Sequence, residues 1–311
     1  MMKVLIIDNV HPLVAERFSK QGWQCDFMLK ESREEIISVI QNYDGLVLRS
    51  RIKIDEDFLN KAKNLKFIGR PGAGLENIDL EYCERNDIQV FRSPEGNRDA
   101  VAEHAVGMIL MLLNNLKRAD HEVRQGVWKR EENRGYELMG KTIGIIGYGF
   151  MGKAFAQRLK GFGVNVIAHD KYEHNFTDEF AREITLEELK KEADIISLHL
   201  PQSEETIHYI DRSFIETCAK PFYLINTARG KSVNTTDLLD ALDTGKILGA
   251  CLDVLELESS SFEKMEGSNE VFQRLVASDK VVLSPHIAGW THEAKYKLAD
   301  FLVKKIFKVF A

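Results

Sequence analysis

The chain has 311 residues, with 42 Lys and Arg against 48 Asp and Glu and a formal net charge of −6. That length predicts about two domains, and 44% hydrophobic with 29% charged residues excludes a disordered chain. The mildly acidic balance argues against nucleic acid or an anionic membrane as the main partner, which leaves a small molecule.

The N-terminal apolar run stops at Asp8, too short for a signal-peptide core, and Val4–Ile7 reads as a first strand. A helical pattern follows from Pro12 to Lys20. Gly45–Leu48, Lys66–Ile68 and Gln89–Phe91 are further short apolar runs, each preceded by helix-like sequence such as Asp79–Arg85. Strands apolar throughout and separated by helices predict parallel sheets covered on both faces. Arg98–Ala119 reads as one long helix, with Val101, Ala105, Met108, Ile109, Leu112, Leu113 and Leu116 near helical spacing. The polar stretch Asp120–Glu137, with Trp128, reads as a short helix and a loop.

A second series opens with strand Thr142–Ile146, helix Met151–Phe162 and strand Val164–Ala168. Strands at Ile195–Leu198, Phe222–Ile225, Gly249–Leu252 and Val281–Leu283 follow, and a last helix covers Thr291–Phe310. Glu256–Leu275 breaks the rhythm and is expected to be a surface excursion. Two long helices bracketing one series predict an inserted domain. Cys25, Cys83, Cys218 and Cys251 are scattered, without disulfide or zinc spacing, so reduced thiols, cytoplasmic residence and no metal site are expected. No apolar run approaches a membrane span.

Gly147-Tyr148-Gly149-Phe150-Met151-Gly152 fits the dinucleotide fingerprint in its required context, after a strand and opening a helix. The first Gly permits the turn, the second lets backbone approach a pyrophosphate, and the third lets helix and strand pack. Asp170 ends the next strand, where a carboxylate accepts ribose hydroxyls and repels a 2′-phosphate, which favours NAD over NADP.

Polar residues gather where later strands end: His199-Leu200-Pro201, Asn226–Gly230, Asp253–Glu258 and Ser284–Gly289. Hydride transfer from a 2-hydroxy acid needs a base for the hydroxyl proton, and His suits neutral pH. It needs a cation for the carboxylate, which Arg binds bidentately. A carboxylate behind the His fixes its tautomer and favours its charged form. Arg229, Glu258 and His286 are the candidates. Glu256 is the near competitor for the role of Glu258.

These stretches together resemble the D-isomer-specific 2-hydroxyacid dehydrogenase family over essentially the whole chain. The resemblance implies that Arg229 binds the substrate carboxylate, that His286 is the acid/base and that Glu258 supports it. It implies NAD as cofactor, contacted by Gly147, Gly149, Phe150, Met151, Gly152, Asp170, Pro201, Thr227, Ala228, Asp253 and Gly289. It implies a fold of two doubly wound parallel-sheet α/β domains. A Rossmann NAD-binding domain (98–286) is inserted into a flavodoxin-like substrate-binding domain (1–97 and 287–311). Gly72-Ala73-Gly74 resembles the family loop that meets the substrate carboxylate, and Asn97 sits at the hinge. Arg49-Ser50-Arg51 resembles the segment that contacts the substrate phosphate in 3-phosphoglycerate dehydrogenases, so the 3-phosphoglycerate/3-phosphohydroxypyruvate pair of serine biosynthesis is the first expectation. Glyoxylate/hydroxypyruvate or D-lactate-type reduction is the alternative, and a corepressor-like NAD(H)-sensing protein is the alternative of another class. Trp290 could close one side of the pocket. Many relatives have Pro after the catalytic Glu where this chain has Ser259, and the loop to Asn269 reads as longer than usual. The early end of the chain is taken to mean that the C-terminal regulatory domain of some phosphoglycerate dehydrogenases is lacking. A homodimer is implied, with Asp120–Glu137 as the contacting arm.

Overall fold

The computed structural model describes residues 1–258 and 270–311, so the expected Ser259–Asn269 loop lies outside the described residues. The chain divides into two units: Met1–Arg98 with Trp290–Ala311, and 99–258 with 270–289.

The first unit contains β1 (Lys3–Ile6), α1 (Leu13–Lys20), β2 (Gln24–Phe27), α2 (Arg33–Val39), β3 (Gly45–Val47), α3 (Glu56–Leu59), β4 (Phe67–Arg70), α4 (Leu80–Arg85) and β5 (Gln89–Arg92). Its strands form one parallel sheet in the order β2-β1-β3-β4-β5, the flavodoxin-like order. Alternate residues of β1 face opposite layers. Val4 and Ile6 pack with Phe18, Trp23 and Phe67 against Ala299, Leu302, Val303 and Ile306 of the C-terminal helix His292–Phe310. Leu5 and, just beyond the strand, Ile7 pack with Ile36, Ile40, Leu46 and Ile68 on the other side. Fully burying each of these large side chains is worth roughly 1.5–3 kcal/mol, and two apolar layers explain why β3 and β4 are buried along their whole length. Helix α2 starts on a capping box, Ser32 accepting from Glu35 N and Glu35 from Ser32 N.

The second unit begins with α5 (Arg98–Leu113, of which Arg98 falls in the first unit) and α6 (Leu116–Arg124). The single helix expected over Arg98–Ala119 is therefore two. Asn115 adopts a left-handed conformation, φ +51°, which Asn tolerates better than most residues and which ends α5. The unit continues through β6 (Thr142–Ile146), α7 (Phe150–Leu159), β7 (Asn165–His169), β8 (Arg182–Glu183), α8 (Leu186–Glu192), β9 (Ile195–Leu198), α9 (Arg212–Thr217), β10 (Phe222–Asn226), α10 (Thr235–Thr244), β11 (Ile247–Leu252), α11 (Glu270–Ala277) and β12 (Val281–Leu283). The seven strands are parallel in the order β12-β11-β10-β9-β6-β7-β8. The order reverses at β6 and β9, and the crevice beyond their C-terminal ends is where ligands bind in such sheets. Helix α11 corrects the expected excursion over Glu256–Leu275: it lies partly within that range, and Leu275 is buried in the core. Among the described residues no helix is long and apolar enough to cross a membrane.

Candidate functional site

The loop after β6 lies at this reversal. Gly147 has φ +92°, and a Cβ there would stand 2.6 Å from the His199 carbonyl oxygen, so no other residue fits. A Cβ on Gly152 would stand 2.1 Å from the Gly147 carbonyl oxygen, so α7 can pack only with glycine at this point. Gly149 faces open space and is the N-cap of α7, with no side chain capping the helix. The first-turn N–H groups of α7 therefore stand at an open approach, the arrangement that binds anions. Phe150 is exposed and Met151 half-buried beside them.

Asp170 follows β7. Its Oδ2 accepts Tyr148 N–H at 2.8 Å, and its Oδ1 accepts Tyr172 and Glu173 N–H at 3.0 and 3.1 Å. Burial alone would raise its pKa, but these three bonds hold the carboxyl below the usual Asp range. Pro201 lies exposed past β9.

At the end of β10 the buried Asn226 side chain donates to Arg229 O at 2.9 Å and accepts Ala228 N–H at 3.1 Å, which closes a tight loop. Thr227 Oγ1 is buried there without a hydrogen-bond partner. Arg229 is half-buried, and its Nη1 donates to Ala228 O at 2.7 Å.

The ends of β11 and β12 bring Glu258 and His286 together. His286 Nδ1 lies 2.7 Å from Glu258 Oε2. The Oε1 of Glu258 accepts Leu255 N–H, and Glu258 N–H returns to Leu255 O at 3.1 Å. Glu256, the competitor, faces elsewhere: its Oε1 meets His208 Nε2 at 2.6 Å and its Oε2 meets Thr235. His286 has φ +55°, a left-handed conformation for a residue with a side chain.

Asp253, expected to contact the nicotinamide side, is 1% exposed and engaged within the protein. Its Oδ1 accepts Ser284 Oγ–H at 2.6 Å and Ile287 N–H at 2.8 Å, and its Oδ2 accepts Ala288 N–H at 2.8 Å. It shapes the loop that carries His286 and leads to Gly289. His104 Nε2 lies 2.9 Å from the Ser284 hydroxyl. Sequence reasoning missed Asn226, Ser284 and His104. The first two stand inside stretches already singled out, whereas His104, on α5, carries no local signal.

In the first unit the residues of the expected anion segment have different partners. Arg51 is committed to backbone: Nη2 donates to Ile7 O and Met28 O at 2.7 and 3.0 Å, and Nη1 to Glu31 O at 2.7 Å. Its Nε also bonds Ile7 O and Asp8 Oδ1, at 3.2 and 3.3 Å. A guanidinium placed among these carbonyls ties three loops together. The Arg49 amide donates to Asp8 Oδ2 at 2.5 Å, and its guanidinium lies over the Trp290 ring, 4.1 Å from the centroid. Ser50 is half-buried between the two Arg residues. Arg70 is buried, with Nε donating to Arg49 O at 2.8 Å, and Gly72 is packed against its guanidinium. The carbonyls of Gly72 and Ala73 accept from Ser93 N–H and Arg92 Nη1, and Gly74 is buried. Asn97 Oδ1 is buried without a partner. Among the described residues no cluster of three His, Cys, Asp or Glu could hold a metal ion.

Known proteins resemble the chain over most of its length. The profile of the D-isomer specific 2-hydroxyacid dehydrogenase NAD binding domain matches residues 106–288. The chain is 37% identical over 276 residues to the hydroxypyruvate reductase of Thermotoga maritima, covering 89% of this chain and 88% of that protein. It is 34% identical to the D-3-phosphoglycerate dehydrogenase of Archaeoglobus fulgidus over 98% of this chain, and spans 56% of that longer relative. The solved D-lactate dehydrogenase from Aquifex aeolicus, complexed with NAD and lactic acid, matches with a TM-score of 0.82 at 30% identity, over 99% of this chain and 95% of that one. NAD is the cofactor these findings give to the second unit.

Proposed function

The chain belongs to the D-isomer-specific 2-hydroxyacid dehydrogenase family, and from that premise we propose that it interconverts a small D-2-hydroxy acid and its 2-oxo acid. Hydroxypyruvate/D-glycerate is the favoured pair. The single observation that carries the chemistry is the 2.7 Å contact between His286 Nδ1 and Glu258 Oε2.

The second unit fits NAD. Gly149 and the first turn of α7 would take the pyrophosphate, Asp170 the adenosine ribose, and Thr227 Oγ1 is a buried group still lacking a partner. Phe150, Met151, Pro201, Ala228 and Gly289 would line the remainder, with Asp253 acting through the loop it holds. NAD supplies the hydride acceptor in oxidation, and NADH the donor in reduction. The protein's own part is binding and proton transfer. Arg229 would hold the substrate carboxylate, because a guanidinium matches it bidentately and orients C2. Glu258 fixes the imidazole of His286 through Nδ1, so the proton moves at Nε2: onto it when the alcohol is oxidised, from it when the ketone is reduced.

The first unit is proposed as the substrate-binding unit, with Arg49, Gly72, Ala73, Gly74 and Asn97 as its candidate contacts. The commitment of Arg51 to four backbone and side-chain acceptors supports an unphosphorylated substrate, since a phosphate dianion calls for more charge than Arg49 alone. The hydroxypyruvate reductase similarity, which covers most of both chains, points the same way. The phosphoglycerate reading keeps the support of Arg49 and of the Archaeoglobus similarity. Turnover on hydroxypyruvate, 3-phosphohydroxypyruvate, glyoxylate and pyruvate with NADH decides between them. Preference for the phosphorylated acid would overturn the favoured pair. Silence on all four with NADH still bound would support an NAD(H)-sensing protein instead.

A homodimer belongs to the same proposal. Leu116, Val123, Trp128, Tyr136 and Met139 are all more than half exposed on and after α6, and apolar surface concentrated in this way marks an interface. A monomeric mass at micromolar concentration would refute it. The four free cysteines fit a reducing compartment such as the cytoplasm.

A further inference from the structure

Glu256 stands two residues before Glu258 and takes no part in the reaction proposed above, yet its carboxylate is fully engaged. Its Oε2 accepts the Thr235 hydroxyl at 2.8 Å and the Thr235 N–H at 3.1 Å, and its Oε1 meets His208 Nε2 at 2.6 Å. Thr235 is the first residue of α10, so its N–H is one of the donors a helix start leaves without an internal partner. A carboxylate at that end is also favoured by the helix dipole. Helix α10 is a firm anchor, with Leu238, Leu239, Ala241 and Leu242 buried. His208 belongs to a second element, the segment whose Ile210 bridges Val233. Burial works against ionisation of Glu256, but the His208 and Thr235 bonds outweigh it and hold the carboxyl below its usual range.

The same turn is pressed from beneath. A Cβ on Gly230, the residue after Arg229, would stand 1.9 Å from the Leu255 carbonyl oxygen. Leu255 in turn gives its N–H to Glu258 Oε1 and receives the Glu258 N–H at its carbonyl, 3.1 Å away. Glu256 thus sits in a short turn whose start lies on the Arg229 loop and whose end carries Glu258.

We propose that Glu256 is the positioning residue of the acid/base pair: by fastening the Leu255–Glu258 turn to the start of α10 and to His208, it sets the Glu258 carboxylate against His286 Nδ1. This rests on the reading of Glu258 as the partner of His286. It assigns no contact with substrate or cofactor to Glu256. It accounts for two carboxylates on one turn with unrelated partners: one fixes the turn, the other faces the imidazole. The Thr235 hydroxyl and His208 become parts of the same fastening.

The test is a double-mutant cycle. Steady-state kcat and KM for hydroxypyruvate, or for whichever acid of the panel turns over, are measured at saturating NADH for Glu256→Ala, Glu256→Gln, Glu258→Gln and the double variant Glu256→Ala/Glu258→Gln. NADH affinity is read separately by fluorescence. Loosening a catalytic group by a fraction of an ångström is expected to lower kcat about tenfold in Glu256→Ala, with KM and NADH affinity within about twofold. Glu256→Gln keeps an acceptor for Thr235 and is expected to recover most of the rate. In the Glu258→Gln background the Glu256→Ala change is expected to cost nothing further, because the group it positions is already disabled. A wild-type kcat in Glu256→Ala overturns the proposal, and so does an equal tenfold loss in both backgrounds. A wild-type kcat in Glu258→Gln overturns the reading of Glu258 and the inference with it. Should Glu256→Ala fail to fold, Thr235→Val, which removes one donor, carries the same cycle with a smaller loss of kcat.

Discussion

The main-chain N–H of His286 donates to the Asp253 carbonyl at 2.7 Å, while the Asp253 carboxylate holds the next two N–H groups, of Ile287 and Ala288. One buried residue at the end of β11 therefore fixes three successive amides of the loop that carries His286. Asp253→Asn offers an NH2 where a donor already points, so the fold should lose about 2 kcal/mol and kcat should fall with it. Urea unfolding beside turnover checks this. A variant with wild-type stability and rate would show that the carboxylate is dispensable.

Arg49 and Arg51 should separate cleanly. Arg51→Ala removes charge-assisted bonds to Ile7, Met28 and Glu31 carbonyls and should destabilise the chain by about 2–3 kcal/mol without changing the order of preferred substrates. Arg49→Ala should change KM and leave the melting temperature nearly unmoved. A substrate preference that follows Arg51 would contradict its assignment as a backbone clamp.

Asp170 should govern the choice of dinucleotide. Its depressed pKa keeps it anionic at every working pH, so the preference for NADH over NADPH should be flat from about pH 6 to 9. Its stabilising contribution is present above the unfolded pKa of about 3.9 and is lost only as pH falls through the lower folded value. Asp170→Ala should weaken NADH binding about tenfold and narrow the gap to NADPH, by loss of the ribose contact and of the repulsion toward a 2′-phosphate. Titration of both nucleotides by fluorescence decides it. An unchanged ratio would place the ribose elsewhere.

His199 should be a source of acid sensitivity. Its Nε2 meets Ser197 Oγ at 2.9 Å, its Nδ1 is buried without a partner, and burial pushes its pKa down to about 3. An unfolded histidine titrates near 6.5, so between about pH 6.5 and 3 the unfolded chain binds a proton that the folded one refuses. Stability should then fall with falling pH by up to about 1.4 kcal/mol per unit from this group. Comparing urea midpoints at pH 7 and pH 5, the wild type should lose more than His199→Gln. Equal losses would remove His199 as the cause.

The legible parts of the sequence were those with a local cause. Strands buried on both faces, such as β4 and β9, stand out as apolar runs, and the loop after β6 announces itself through three glycines, of which Gly147 and Gly152 have no room for a Cβ. Strand β2 stayed hidden because Gln24-Cys25-Asp26-Phe27 lies at an edge, where no apolar run is needed. The break between α5 and α6 was signalled by Asn114-Asn115, but a continuous apolar stripe outweighed it. The commitment of Arg51 was invisible in principle. Three of its four acceptors are carbonyls 20 to 44 positions away, and a carbonyl leaves no mark on residue identity. Ser50 between two arginines looks the same whether the guanidinium faces solvent or backbone.

The left-handed backbone of His286 sets evolvability against function at one position. A residue with a Cβ pays roughly 1 kcal/mol in that region, and Asn tolerates it best. His286→Asn should fold at least as well as the wild type while losing nearly all turnover. A screen of variants for heat resistance alone would then enrich dead enzymes at this residue, so any campaign to harden the protein must select on turnover as well.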